Sequence, residues 1–203
     1  MTPGKSGWET EYAESKALVT DEEFGSAQHS TTTAYYTEQM IVEQRYAALD
    51  KFGFSGGNIL DPAMATGNFY SVLPDSMQIS NLYGVELDRV SGHIAKQLYP
   101  VADIQIKGYE DCNYPDHFFD VINGNFPFNS IRVNDRRYER HRFKIHDYFL
   151  AKSLDKARPG GIVAAITSKY TLDKANPTIR KYLAQRAELI GAIRLPNTAF
   201  KSL

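Results

Sequence analysis

This 203-residue chain has a single cysteine, Cys112, and a net charge of only −1. One thiol makes neither an internal disulfide nor a cysteine-rich zinc site, so Cys112 reads as a buried or half-buried core residue. A charge near zero excludes the global basic field that drives strong nonspecific binding to nucleic acid, so any such affinity must be local. Long hydrophobic runs are absent as well. No stretch approaches the roughly 18 apolar residues of a membrane span, and Met1 to Glu11 lacks the apolar core of a signal peptide, which makes the cytoplasm the expected compartment. Low-complexity segments and internal repeats are also missing. What is present, 42% hydrophobic, 23% charged and 12% aromatic residues, suits one globular domain with a sizeable core.

Thr20-Asp21-Glu22-Glu23 reads as a capping box, predicting a short helix to about Ala27. From Glu38 onward, Met40, Ile41, Gln44, Tyr46, Ala47 and Leu49 follow the period of an amphipathic helix that Gly53 and Gly56-Gly57 close. Six short apolar runs then read as strands: Asn58 to Leu60, Leu82 to Leu87, Asp103 to Ile106, Phe119 to Ile122, Ile162 to Thr167 and Leu189 to Arg194. Helical patterns fall between them at Asn68 to Leu73, Val90 to Leu98, Ile145 to Ala157 and Pro177 to Arg186, with Gly160-Gly161 as the turn into the fifth strand. Such alternation predicts an α/β fold, a mostly parallel sheet with helices on both faces. Ligands of these sheets sit at the carboxyl ends of the strands, near the point where strand order reverses.

The first strand runs into Asp61-Pro62-Ala63-Met64-Ala65-Thr66-Gly67-Asn68-Phe69, an acid followed by a small-residue loop that opens a helix. The loop has one glycine, so it lacks the spacing that seats a dinucleotide pyrophosphate. The second strand ends in Val85-Glu86-Leu87-Asp88, about 25 residues after Asp61, where an acid accepts both hydroxyls of a ribose; Glu86 is the candidate. The third strand leads to Gly108-Tyr109-Glu110-Asp111, which offers Glu110, or its neighbour Asp111, to an adenine amino group. The fourth delivers Asn125-Phe126-Pro127-Phe128, two aromatics flanking a proline at an exposed strand end, where packing alone is a poor explanation.

Together these residues resemble the class I S-adenosylmethionine-dependent amino-methyltransferases. Asp61-Pro62-Ala63 with Gly67 and Phe69 is similar to their first motif, D-P-A/S-x-G-x-G-x-F, and Asn125 to Phe128 is similar to their N-P-P-F catalytic motif. The sequence departs from the pattern twice, with Ala65 for the first glycine and Phe126 for the first proline. The resemblance is closest to adenine-N6 methylase domains of DNA attached to large helicase-like proteins of phages and conjugative elements, and it covers roughly Ser30 to Lys201. It implies a Rossmann-like class I sheet lacking its last strand, preceded by an N-terminal helical extension over residues 1–29. It further implies S-adenosylmethionine as cofactor, held by Thr37 (after Tyr35-Tyr36), Asp61, Pro62, Ala63, Thr66, Gly67, Asn68, Glu86, Leu87, Glu110 and Asp111. Asn125, Pro127 and Phe128 would act on an adenine flipped out of DNA, as in restriction-modification systems. The partner would be the rest of a longer polypeptide with target-recognition and helicase-like regions. Phe126 would stand in for a rigid proline that it tolerates in exchange.

Two further classes of function are open. The same motif serves RNA or protein glutamine as acceptor, and a degenerate module would hold the cofactor without turnover, with Ala65 and Phe126 as its marks. A basic stretch just past the catalytic motif, Arg132, Arg136, Arg137, Arg140, Arg142 and Lys144 against Asp135, Glu139 and Asp147, is the candidate phosphate contact. His141, His146 and Asp147 suggest neither a metal site nor a dyad; His146-Asp147 reads as the cap of the following helix. Thr167-Ser168-Lys169 and Asn176-Pro177 resemble the loop that lines the substrate side.

Overall fold

The computed structural model describes residues 9–21, 23–25, 37–196 and 199. Helix α1 (Glu9–Ala17) precedes the capping box, which forms as expected: Glu23 N donates to Thr20 Oγ1 at 3.2 Å, and Thr20 N donates to the Glu23 carboxylate at 3.0 Å. Ala27, the expected end of that helix, lies outside the described residues. Helix α2 (Gln39–Lys51) buries Val42, Tyr46 and Leu49, whose spacing puts them on one face.

The sheet has five parallel strands, β1 (Asn58–Asp61), β2 (Asn81–Glu86), β3 (Asp103–Ile106), β4 (Phe119–Asn125) and β5 (Ala157–Ile166), in the order β3-β2-β1-β4-β5. Between them run α3 (Asn68–Ser71), α4 (Arg89–Leu98) and α5 (Ile145–Lys156), with α6 (Tyr170–Asp173) and α7 (Thr178–Ala184) after β5. Successive strand residues feed opposite faces. Ile59 and Val121 pack with α2, α3 and α4 around Tyr46, Phe69 and Ala95, whereas Leu60 and Ile122 pack with α5 and α7 around Tyr148, Phe149 and Tyr182. Helices therefore cover both faces, as the alternation predicted. Where α4 meets the sheet, Gly92 makes the approach possible, since a Cβ there would lie 2.8 Å from Ile106 Cγ1.

β1 and β2 differ from the expected runs by one residue at one or both ends, and three larger departures follow. β4 continues through Asn125, so it carries the candidate catalytic asparagine on its own last residue. Gly160-Gly161 is not a turn but an irregularity inside β5: the ladder passes from Phe119 opposite Ala157 to Val121 opposite Ile162, and Gly160 takes a left-handed φ of +75°. The sixth run, Leu189 to Arg194, forms no strand. A strand persists only with a neighbour to complete its ladder, and none is present for it among the described residues; Leu189, Ile190 and Ile193 are exposed, and Arg194 is tied to Asp173 at 2.8 Å.

Phe126 corrects the reading of the catalytic segment. Its ring is fully buried, 5.7 Å from Phe149, and its backbone N–H donates to the Ile166 carbonyl at 2.9 Å, so it is a core residue that extends the β4–β5 ladder. A proline there has no N–H to donate and leaves the ring's space unfilled. Phe126→Pro is accordingly expected to destabilise the chain by about 3 kcal/mol or more. Denaturant unfolding checks this, and an unchanged midpoint would show that neither the bond nor the packing matters.

Candidate active site

β1 pairs with β2 on one side and β4 on the other, so the strand order reverses between β1 and β4. Asp61 ends β1 and Asn125 ends β4, one on each side of this switch point, where open α/β sheets bind their ligands. Asp61 is 1% exposed. Its Oδ1 accepts from Ala63 N at 3.1 Å, and its backbone N–H donates to Tyr70 Oη at 2.9 Å. Burial, with the Glu86 carboxylate adding to it, raises its carboxyl from the usual range to about 7, against the Ala63 amide and the Arg45 cation, which pull it down. Gly124 makes room for this carboxylate, since a Cβ at that position would lie 2.5 Å from Asp61 Oδ1.

The loop after β1 is held open by Glu86. Ala65 N donates to Glu86 Oε2 at 2.8 Å and Asp88 N to Oε1 at 2.7 Å, while Met64 N bonds the Val85 carbonyl at 3.0 Å. Burial raises the Glu86 pKa in spite of these amides. Asp88 in turn caps α4, accepting from Ser91 N at 2.8 Å. Both expected glycine positions of the loop are left-handed: Gly67 has φ +93° and Ala65 φ +49°. Gly67 also lies under Tyr99, whose hydroxyl donates to its carbonyl at 2.9 Å.

Of the other candidates for cofactor contact, Thr37 is buried just ahead of α2, Pro62 is buried, and Ala63, Thr66, Asn68 and Glu110 are half-buried. Asp111 and Leu87 are exposed, which favours Glu110 over Asp111 and leaves Leu87 the least enclosed of the set. Tyr35-Tyr36 lie outside the described residues. S-adenosylmethionine carries an ammonium and a sulfonium, and the site suits it on one structural count: Asp61 Oδ2 is a buried acceptor with no hydrogen-bond partner among the described residues. In the catalytic segment Asn125, Pro127 and Phe128 are half-buried, so only Phe126 is withdrawn from the crevice.

Two expectations about the following segment change. Arg137 is not a free cation, because it bridges Asp116 at 2.7 Å and Asp155 at 3.2 Å; Arg132, Arg136, Arg140 and Arg142 are exposed. His146-Asp147 does not cap α5, whose first residue is preceded by Lys144 with no side-chain cap. Both side chains are buried instead, and Asp147 accepts from Thr171 Oγ1 at 3.1 Å and pairs with Lys174, joining α5 to the loop after β5. Arg45 of α2 escaped sequence reading altogether. It is a polar residue on an amphipathic helix, yet it donates to the Gly124 carbonyl at 3.3 Å and to that of Ala164.

A family model described as N-6 DNA Methylase matches residues 20–203. The chain is 31% identical over 176 residues to "Defense against restriction protein B" of Escherichia phage P1, covering 84% of this chain and 8% of that protein. It is 26% identical over 137 residues to "Modification methylase CviBIII" of Paramecium bursaria Chlorella virus NC1A, covering 65% of this chain and 36% of that protein. The chain thus spans well under half the length of these curated relatives. Among solved structures it is similar to an S-adenosylmethionine-dependent methyltransferase from Clostridium acetobutylicum, with TM-score 0.49, 15% identity, and coverage of 68% of this chain and 54% of that one. A TehB-like methyltransferase from Corynebacterium glutamicum gives TM-score 0.47 and 16% identity, covering 71% of each chain.

A left-handed alanine costs about 1 to 2 kcal/mol, part of which a glycine returns to the unfolded chain as entropy. Ala65→Gly is therefore expected to stabilise the chain by about 0.5 to 1 kcal/mol while its amide still bonds Glu86. Thermal unfolding measures this. A lower Tm would mean that the loop is not strained at Ala65.

Proposed function

The chain belongs to the N-6 DNA methylase family, and from that premise we propose that it transfers a methyl group from S-adenosylmethionine to the exocyclic amino group of adenine in DNA. The observation that carries the reading is the placement of Asn125-Phe126-Pro127-Phe128 at the end of β4, directly across the switch point from the buried Asp61. Bound S-adenosylmethionine supplies the electrophilic methyl group. Asp61 faces its positive charge, Glu86 its ribose and Glu110 its adenine, while Thr37 meets its carboxylate.

An adenine amino group is a poor nucleophile because its lone pair is delocalised into the ring. Acceptors on its two hydrogens, the Asn125 side-chain oxygen and the Pro127 carbonyl, favour the pyramidal nitrogen that can attack. As the N–C bond forms and the methyl–sulfur bond breaks, leaving a neutral thioether, positive charge grows on that nitrogen; the same acceptors stabilise it, and the surplus N–H proton passes to solvent without a strong base. Phe128, half-buried beside the α2 core, offers a face to a base rotated out of the duplex. Phe126 contributes through the backbone: its bond to Ile166 fixes the turn from which Asn125 and Pro127 project. The exposed Arg132, Arg136 and Arg140 follow within the same segment and supply phosphate contacts. Selection of the target sequence falls to other parts of a longer polypeptide.

A transfer assay with radiolabelled cofactor, offering duplex DNA, RNA and protein separately, tests the acceptor; label in RNA or protein alone overturns the DNA reading. Asn125→Ala is expected to lower kcat by about 10²-fold or more with cofactor affinity intact, the size of effect of one preorganised group. Phe128→Ala should lower kcat/KM through a stacking loss of about 1 to 3 kcal/mol. Both variants transferring at the parent rate would remove this motif from the chemistry.

Replacing Arg132, Arg136 and Arg140 together with Ala is expected to flatten the salt dependence of DNA binding by up to about one slope unit per lost contact. Arg137→Ala should cost stability and leave the slope nearly unchanged, because that guanidinium is already paired. An unaltered slope in the triple variant would move the phosphates elsewhere.

A further inference from the structure

Arg45 sits in the middle of α2, and its half-buried guanidinium reaches from that helix to the sheet. Both terminal nitrogens donate to the Gly124 carbonyl, at 3.3 and 3.4 Å, and Nη2 also donates to that of Ala164. The Phe69 ring covers it, with its centroid 4.9 Å from the guanidinium carbon. Burial lowers the Arg45 pKa to about 10, so it stays charged at neutral pH, and Asp61 is the one carboxylate acting on it among the described residues. The acceptors it has chosen are equally specific. Gly124 is the residue before Asn125, and it is also the glycine whose missing Cβ admits the Asp61 carboxylate. One half-buried cation therefore touches the strand end that carries the candidate catalytic asparagine and acts on the acid across the switch point.

We infer that Arg45 is a positioning residue of the cofactor site: it pins the end of β4 beside Asp61 and favours the ionised form of that carboxylate, the form a positively charged cofactor selects. The inference rests on the cofactor role proposed for Asp61. A neutral donor would serve to tie two carbonyls, whereas a carboxylate as buried as Asp61 needs a neighbouring cation to hold its charge. The groups facing Asp61 are few. Tyr46 of α2 and Tyr70 of α3 are neutral phenols with pKa values raised by burial, Glu86 of β2 is an anion that opposes ionisation, and Arg45 is the cation that favours it. With the Asp61 carboxyl near 7, the free chain holds it partly protonated at neutral pH. A cationic ligand prefers the ionised form, so binding releases a proton and affinity rises with pH up to a plateau above about 7. Below that it falls toward tenfold per pH unit.

Calorimetric binding of S-adenosylmethionine to the chain without nucleic acid, from pH 5.5 to 9, together with a carbon-13 NMR titration of the Asp61 carboxyl in the ligand-free chain, reads the effect directly. Arg45→Gln keeps a donor for Gly124 but removes the charge, and it is expected to move both midpoints up by about one pH unit, which is about tenfold in affinity at pH 6. Arg45→Lys should restore the parent midpoints. A Gln variant that binds more weakly by one factor at every pH, with Asp61 titrating as in the parent, would make Arg45 only a structural tie and overturn the inference. A parent that binds no cofactor at any pH overturns the reading of the site itself, and the NMR titration separates that failure from a failure of the Arg45–Asp61 coupling.

Discussion

Asp61 lies buried between the ends of β1 and β4, and its carboxylate fits there because Gly124 has no side chain. The rest of the site follows from that placement. A charge so enclosed demands compensation, which comes from the Ala63 amide on its own loop and from the cation of Arg45 at longer range. Compensation is incomplete, because Oδ2 has no hydrogen-bond partner among the described residues and burial raises the carboxyl to about 7. Such a group sits at the strain end of the polar inventory, and strained polar groups gather where ligands bind.

The loop that follows is organised by a second carboxylate rather than by glycine alone. Glu86 takes the Ala65 and Asp88 amides on its two oxygens, so one side chain both shapes the loop after β1 and positions the cap of α4. A carboxylate offers about four acceptor sites, so the ribose contact proposed for Glu86 would use those that the backbone amides leave. Ala65, whose amide Glu86 holds, keeps the left-handed backbone that the family usually assigns to glycine.

On the opposite face, α5 serves as the anchor of the catalytic segment. It lies buried along most of its length, and its first amide, Ile145 N, bonds the Ile131 carbonyl at 3.0 Å, closing the basic segment back onto the helix. Lys152 reaches the Glu110 carbonyl at 3.2 Å and Asp135 at 3.0 Å, and Asp147 reaches Thr171 and Lys174. Through these bonds the segments that follow β3, β4 and β5 are referred to one rigid element.

Local pattern alone determined the architecture: apolar runs of strand length between helical periods predict a parallel sheet covered on both faces, because backbone ladders and apolar burial admit few other arrangements. The acids at strand ends were legible for a related reason, since the register of a strand fixes which residue is its last. Pairing and burial were not legible. Leu189 to Arg194 has a strand's composition and no ladder partner among the described residues, Phe126 has the place of a substrate-facing residue and the environment of a core one, and Arg137 has the company of exposed arginines and two carboxylates of its own. Arg45 is the extreme case. Its spacing, three residues after Val42 and four before Leu49, puts it on the inward face, while its charge argues for solvent; only the packing of α2 against β4 and β5 supplies the carbonyls that let a guanidinium stay there.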